Sequence, residues 1–218
     1  MSSNKPAESE GADVSAIPRH NPFLSPTQAW ILSNVTIGIA GAGGLGSNCA
    51  MHLVRSGVRK LVIADFDIVS ESNLNRQFYF ADQIGQRKTD ALGVNLRRIV
   101  PDLRLELLPE RITPENAVPV FRNCSIVVEA FDTAAAKAML LTALGGSRRP
   151  LVCASGLGGI GQSEKIRVNR FGRSVYVIGD GTANVTPGSG IFPFSPRVGI
   201  AAAAEANTVL ALLLGEPI

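Results

Sequence analysis

VTIGIAGAGGLGSNCAMHLVRSG, residues 35–57, decides the fold. VTIGIA (35–40) is a short β-branched run, the mark of a buried strand. GAGGLG (41–46) is a G-x-G-x-x-G turn. SNCAMHLVRS (47–56) then changes period: Ala50, Leu53 and Val54 share one helical face, and Gly57 ends the helix. Strand, glycine turn and helix in this order bring backbone N–H groups to a helix N-terminus, a ready site for phosphates. KLVIAD (60–65) is a second strand ending in Asp65, 19 positions after Gly46. A carboxylate at that place suits ribose hydroxyls. Tight strand–helix packing alone would also use such glycines. Ser47 and Asn48 follow the turn where a Walker A loop has Lys-Ser/Thr. The cations for the phosphates must therefore come from elsewhere in the chain.

Outward from this unit, strands and helices keep alternating. Residues 86–99 read as a helix stopped by Pro101, and 103–108 as a strand. TPEN (113–116) starts a helix, with a threonine cap and a proline at the first helical position. SIVVEA (125–130) is a buried strand, an Ala/Leu-rich helix runs to about residue 144, and PLVCAS (150–155) is another strand. KIRVNR (165–170) and SVYVIG (174–179) form a hairpin, and a Pro/Gly loop (181–196) leads to a last helix, 197–214. The order implies an α/β protein: a Rossmann-like, doubly wound, mainly parallel sheet with a C-terminal antiparallel hairpin and a final helix. Residues 1–30 read as a flexible tail and a proline-broken lead-in, and 31–218 as one nucleotide-binding domain.

Composition narrows the function. A chain of 218 residues, 45% apolar and 18% charged, can bury a sizeable core without disulfides. The net charge of +3 is too small and dispersed for a nucleic-acid surface. Cys49, Cys124 and Cys153 lack zinc-ligand spacing, and two histidines leave little for a metal centre. The first thirty residues lack an apolar signal core, and the longest apolar stretch, 199–215, is short for a bilayer span and carries Glu205. The expectation is a soluble, cytoplasmic protein with neither nucleic acid nor membrane as partner.

Three segments supply polar groups to the crevice. SNLNRQ (72–77) follows the second strand where a dehydrogenase would return to a helix. It offers Asn73, Asn75, Arg76 and Gln77, with Arg76 a natural phosphate fork. IGQRK (84–88) puts Lys88 in the first turn of a helix, where the dipole gives a cation no support. EAFD (129–132) carries Asp132 just past a buried strand, at the usual ligand edge of such sheets. Asp132 reads either as a helix cap or, facing a triphosphate, as a magnesium ligand.

GAGGLGSN, DFDIVSESNLNRQ (65–77), GQRK and the aspartate of EAFD together resemble the ThiF/MoeB/HesA family, bacterial relatives of ubiquitin-activating enzymes. The likeness covers about residues 34–215. Segments 154–161, 177–180 and 196–207 look most like short ThiF-type thiamine-biosynthesis proteins. The resemblance implies ATP and Mg2+ as cofactors. Gly41, Gly43, Gly44 and Gly46 would line the turn, with Gly44 approaching the phosphates. Asp65 would bind ribose and Asp67 support that strand end. Asn73, Arg76 and Lys88 would surround the triphosphate beside Asn75 and Gln77, and Asp132 would hold magnesium. The implied reaction is adenylation of the C-terminal glycine of a ThiS-like, ubiquitin-fold sulfur carrier ending in Gly-Gly. Arg76, Lys88 and Asp132 would be the catalytic groups, in a homodimer.

The chain departs from the family in three respects. It lacks the paired CxxC motifs that bind zinc in many relatives, so no zinc is expected. The region 179–196, where relatives carry a reactive cysteine, has none. The arginine-rich N-terminal signature that some relatives lay across the dimer on ATP is missing, and Arg19 reads either as its substitute or as an exposed tail residue. Other readings are an NAD-dependent oxidoreductase, a non-catalytic nucleotide-binding scaffold, and ATP-dependent modification of a small molecule or tRNA.

Overall fold

The computed structural model describes residues 21–155, 157–181 and 192–218. Its centre is β1 (Thr36–Ala40), which pairs in parallel with β2 (Lys60–Ala64) on one side and β4 (Ile126–Glu129) on the other. β3 (Arg104–Leu108) extends the sheet beyond β2; β5 (Leu151–Ala154) and β7 (Val175–Gly179) extend it beyond β4. All these pairings are parallel, and only β6 (Arg167–Phe171), at the edge beside β7, is antiparallel. The order β3-β2-β1-β4-β5-β7-β6 reverses direction between β1 and β4. That reversal opens a crevice beyond the carboxyl ends of the strands.

Both faces of the sheet are covered, which explains the nearly continuous apolar strands. On one face Ile37, Ile39, Ile63 and Val128 pack against α2 (Gly44–Ser56), α3 (Lys88–Ile99) and α6 (Ser195–Leu214). On the other, Ala40, Val62, Val127 and Leu151 pack against α4 (Pro114–Phe121) and α5 (Ala134–Leu144). The doubly wound sheet, terminal hairpin and last helix expected from the sequence are all present.

Three local readings change. An additional helix, α1 (Pro26–Asn34), begins inside the proline-broken lead-in. Ser25 and Gln28 cap it reciprocally, each side chain accepting from the other's backbone N–H, and Leu32 is buried in the core. The helix after the glycine turn starts at Gly44, not Ser47, so the last three residues of the turn are already helical. The final helix starts at Ser195 and reaches 20 residues, long and apolar enough by length and composition to cross a membrane, contrary to the length expected. Its first turn was read as loop because of Pro196, which is tolerated at the start of a helix. Val198, Ala201, Ala202, Ala206 and Val209 are buried, and the helix lies along α2, β5 and β7 as a core element.

Candidate functional site

The β1–α2 turn is built by two close approaches. Gly41 has φ of 103°, and a Cβ there would lie 2.8 Å from the Ala130 carbonyl oxygen. A Cβ on Gly46 would lie only 1.9 Å from the Gly41 carbonyl oxygen. The turn therefore presses against the β4–α5 link and folds tightly under its own helix. The first turn of α2 carries no acidic side chain of its own, and its cap residue, Gly43, makes no side-chain capping bond. Gly43 and Gly44 present bare backbone at that end.

Asp65 ties this turn to the end of β2. One carboxylate oxygen accepts from the Ala42 N–H (2.6 Å), the other from the Asp67 N–H (2.8 Å). A carboxylate has about four lone-pair sites, so acceptor capacity remains for hydroxyls. The buried Tyr79 hydroxyl donates to the Ala42 carbonyl (2.7 Å). Burial, and then Asp65 and Asp67, raise its pKa, so it stays a protonated donor.

Segment 72–77 lies over the helix start. The Arg76 stem passes the open side of Gly44, with its Cγ 3.5 Å from where a Cβ would stand. One Arg76 terminal nitrogen donates to the Ser72 carbonyl and to the Asn75 side chain (2.8 Å). Asn73 is turned inward on its own loop, accepting from the Ser70 N–H. Gln77 is buried with its Nε2 facing Gly43, and its Oε1 has no partner among the described residues. The loop is fastened by residues the sequence reading missed. Asn48 donates to the carbonyls of Gly44 and Arg76, and the Ser47 hydroxyl accepts from the Phe78 N–H. Ser47 and Asn48 occupy the places where a Walker A loop has Lys-Ser/Thr, and that difference, with their place in GAGGLGSN, was their signal.

Lys88 opens α3 and is 6% exposed. Its ammonium pairs with Asp67 at 2.8 Å, and the two are also joined through the Lys88 N–H to the Asp67 carbonyl. Asp67, half-exposed, thus holds an otherwise unfavourable buried cation in place. Asp132 is exposed beyond β4 and has no ion-pair partner among the described residues. The link carrying it is clamped from below. The buried Glu129 carboxylate accepts from the Phe131 N–H (2.7 Å) and pairs with Lys137 (3.0 Å). Burial raises the Glu129 carboxyl above its usual range against the opposing pull of Lys137. A further buried pair, Arg197 with Asp180, joins the start of α6 to the end of β7, and the same guanidinium donates to the carbonyls of Gly161 and Gln162. Next to it, Val198 abuts Gly44.

The turn glycines, Asp65, Arg76, Gln77 and, through Asp67, Lys88 come together around one end of the sheet. Asn73 and Asn75 serve the loop's own geometry. Arg19 lies outside the described residues, as does much of the loop read as 181–196. Cys49, Cys124 and Cys153 are all buried free thiols. Burial pushes Cys124 up to about 11, Cys153 to about 12 and Cys49 well above the usual thiol value.

Among solved structures, *Escherichia coli* tRNA N6-threonylcarbamoyladenosine dehydratase in complex with ATP superposes with a TM-score of 0.80 at 22% identity, over 87% of this chain and 90% of that one. The shared architecture is the fold described above. Among curated proteins, the adenylyltransferase and sulfurtransferase UBA4 of Candida glabrata is 29% identical over 188 residues, 84% of this chain and 43% of that protein. The *E. coli* tRNA threonylcarbamoyladenosine dehydratase is 29% identical over 66% of this chain and 55% of its own length. The sulfur carrier protein adenylyltransferase of Thermus thermophilus is 34% identical over 51% of this chain and 41% of that protein. The chain spans about half the length of these curated relatives. The ThiF family profile matches residues 21–217, which takes in the glycine turn, the Arg76 loop, Lys88 and Asp132 alike: the chain belongs to the ThiF family.

Proposed function

We propose that this chain binds ATP at the β1–α2 turn and adenylates the C-terminal glycine of a ThiS-like sulfur carrier ending in Gly-Gly, as a homodimer whose adenylation unit is residues 31–218 together with the whole of α1. The observation that carries the reading is the start of α2, bare at Gly43 and Gly44 and without a side-chain cap, with the Arg76 stem laid over it and Asp65 fixed beside it. Gln77, with its Nε2 toward Gly43, adds an amide donor at the same place.

The chemistry suits these residues. A C-terminal carboxylate is ionised at neutral pH and needs no general base. One of its oxygens attacks the α-phosphorus. A new O–P bond forms, the bond to the bridging oxygen breaks, and pyrophosphate leaves with the electron pair. The protein's task is to align two anions and offset their charge. Arg76 retains guanidinium N–H groups beyond those used on Ser72 and Asn75, and Lys88 is held at the rim by Asp67. Magnesium commonly binds one or two carboxylates together with phosphate oxygens and water. The exposed Asp132, without an ion-pair partner among the described residues, fits that habit, and Glu129 with Lys137 fixes the link that presents it. Bound there, the ion would offset phosphate charge. None of this requires a thiol, in keeping with three buried cysteines of raised pKa.

The test is ATP–pyrophosphate exchange against a panel of Gly-Gly-ended carriers. Exchange with one carrier supports the reading; its absence with every carrier, in protein that binds ATP, removes it. A second reading draws on the E. coli dehydratase, whose crystallised chain shares the fold over 90% of its residues: ATP-dependent modification of a tRNA nucleoside. ATP turnover stimulated by threonylcarbamoyladenosine-bearing tRNA and not by carriers would favour it.

A further inference from the structure

Two exposed side chains at the ends of β2 and β3 have no part in the site so far described. Phe66 directly follows Asp65 and is 50% exposed. Arg111, exposed between β3 and α4, lays its guanidinium over that ring, with the central carbon 3.7 Å from the ring centroid. The stack is close for a cation–π pair, which forms out to about 6 Å. Among the described residues Arg111 has no carboxylate partner, so it is not held there by an ion pair. Its backbone carbonyl is anchored by the Asn116 side chain (2.9 Å), and Asn116 in turn caps α4. The loop under the guanidinium is thereby tied to a helix start.

The position matters because a nucleotide has a fixed order. With phosphates at α2 and ribose hydroxyls at Asp65, the base leaves the sugar on the side away from the phosphates. The residue after Asp65 is Phe66. A planar cation lying on an aromatic ring offers its outer face as a flat, electron-poor surface. Such a surface suits the electron-rich face of a purine. We propose that Arg111, laid on Phe66, is the platform on which the purine base of the nucleotide stacks, and hence a determinant of purine over pyrimidine triphosphates; this rests on the ATP-binding reading above.

The experiment measures binding of ATP, UTP and inorganic tripolyphosphate, each with magnesium, to the full chain by calorimetry. The proteins are wild type, Arg111→Ala, Arg111→Lys and Phe66→Ala, each checked for an unchanged melting temperature. Arg111→Ala should weaken ATP by about 5- to 150-fold, the equivalent of losing one stacking platform. It should narrow the ATP-to-UTP ratio and leave tripolyphosphate binding unchanged. Arg111→Lys keeps the charge but not the plane, so it should behave like Arg111→Ala. Phe66→Ala should weaken ATP by a smaller factor. Equal losses for ATP and tripolyphosphate would make Arg111 a phosphate ligand and overturn the proposal. Unchanged ATP binding in Arg111→Ala overturns it while leaving the ATP site standing. Failure of the wild type to bind ATP at all defeats both readings together.

Discussion

Gly46→Ala tests whether the glycine turn is a packing device, a phosphate cradle, or both. The added Cβ would stand 1.9 Å from the Gly41 carbonyl oxygen and 3.1 Å from the Ile39 side chain. An ordinary carbon–oxygen contact is about 3.3 Å, so α2 and the turn must separate by roughly 1.4 Å. The shortest approach is to backbone, the Gly41 carbonyl, which cannot swing aside. Overpacking of this kind costs about 3 kcal/mol, and alanine's better helix propensity returns about 1 kcal/mol. The net of about 2 kcal/mol corresponds to a fall of about 4–8 °C in Tm for a chain of this size. Thermal melts followed by circular dichroism, without ligand, measure it. Saturating ATP–magnesium, at about 100 times Kd, should add about 2.7 kcal/mol to the wild type and far less to the variant, because the same displacement moves the phosphate-facing N–H groups. Gly44→Ala is the contrast. Its Cβ meets only side chains, Val198 at 3.0 Å and Arg76 at 3.5 Å, which can yield. It should melt within about 2 °C of wild type yet lose much of the ATP-induced shift. If Gly46→Ala melts with the wild type and keeps its ATP shift, the close-approach reasoning is wrong.

Other expectations follow from the charges and thiols. Lys88→Met leaves Asp67 half-exposed and able to hydrate, so stability should change by only about 1 kcal/mol while pyrophosphate exchange falls about 100-fold; exchange within threefold of wild type would remove Lys88 from the mechanism. Glu205 is fully buried on α6, neither oxygen has a hydrogen-bond partner among the described residues, and burial, opposed by Lys137 and reinforced by Glu129, raises its pKa well above the usual value. The folded state therefore keeps a proton that the unfolded chain releases near pH 4.3, and this residue's contribution to stability falls as pH rises from there by up to about 1.4 kcal/mol per unit until the folded pKa is reached. Glu205→Gln should match the wild type near pH 4 and exceed it increasingly toward pH 8 in denaturant melts; a difference independent of pH would contradict the neutral buried carboxyl. The three thiols should react slowly with a thiol reagent at pH 8 until the protein unfolds, and rapid labelling of any one in the native state would reopen a covalent step.

What the sequence could tell depended on range. The glycine turn, Asp65 and the alternation of strands and helices are local patterns, and each lies where it was expected. The start of α2 shifted by three residues because Gly44 and Gly46, poor helix formers, were assigned to the turn; the close approach to Gly41 makes glycine necessary at position 46 inside the helix. The α1 helix was hidden by prolines, although Ser25 and Gln28 spell its capping box. Lys88 was noticed because a cation at a helix start is unfavourable, but its compensation by Asp67, 21 positions earlier, is tertiary. Glu129 with Lys137 and Arg197 with Asp180 were likewise invisible, since nothing in the spacing of a buried ion pair announces that the two ends meet. Phe66 and Arg111 are separated by a whole helix and strand, and only the parallel pairing of β2 with β3 brings them together.

The most direct test is a crystal structure of the protein with ATP and magnesium. The triphosphate should lie on the N–H groups of Gly43 and Gly44, with Arg76 and Lys88 on its oxygens, the ribose at Asp65, and a metal ion between the phosphates and Asp132. Arg76, Lys88 and Asp132 turned away from a crevice that stays empty at millimolar nucleotide would contradict the account.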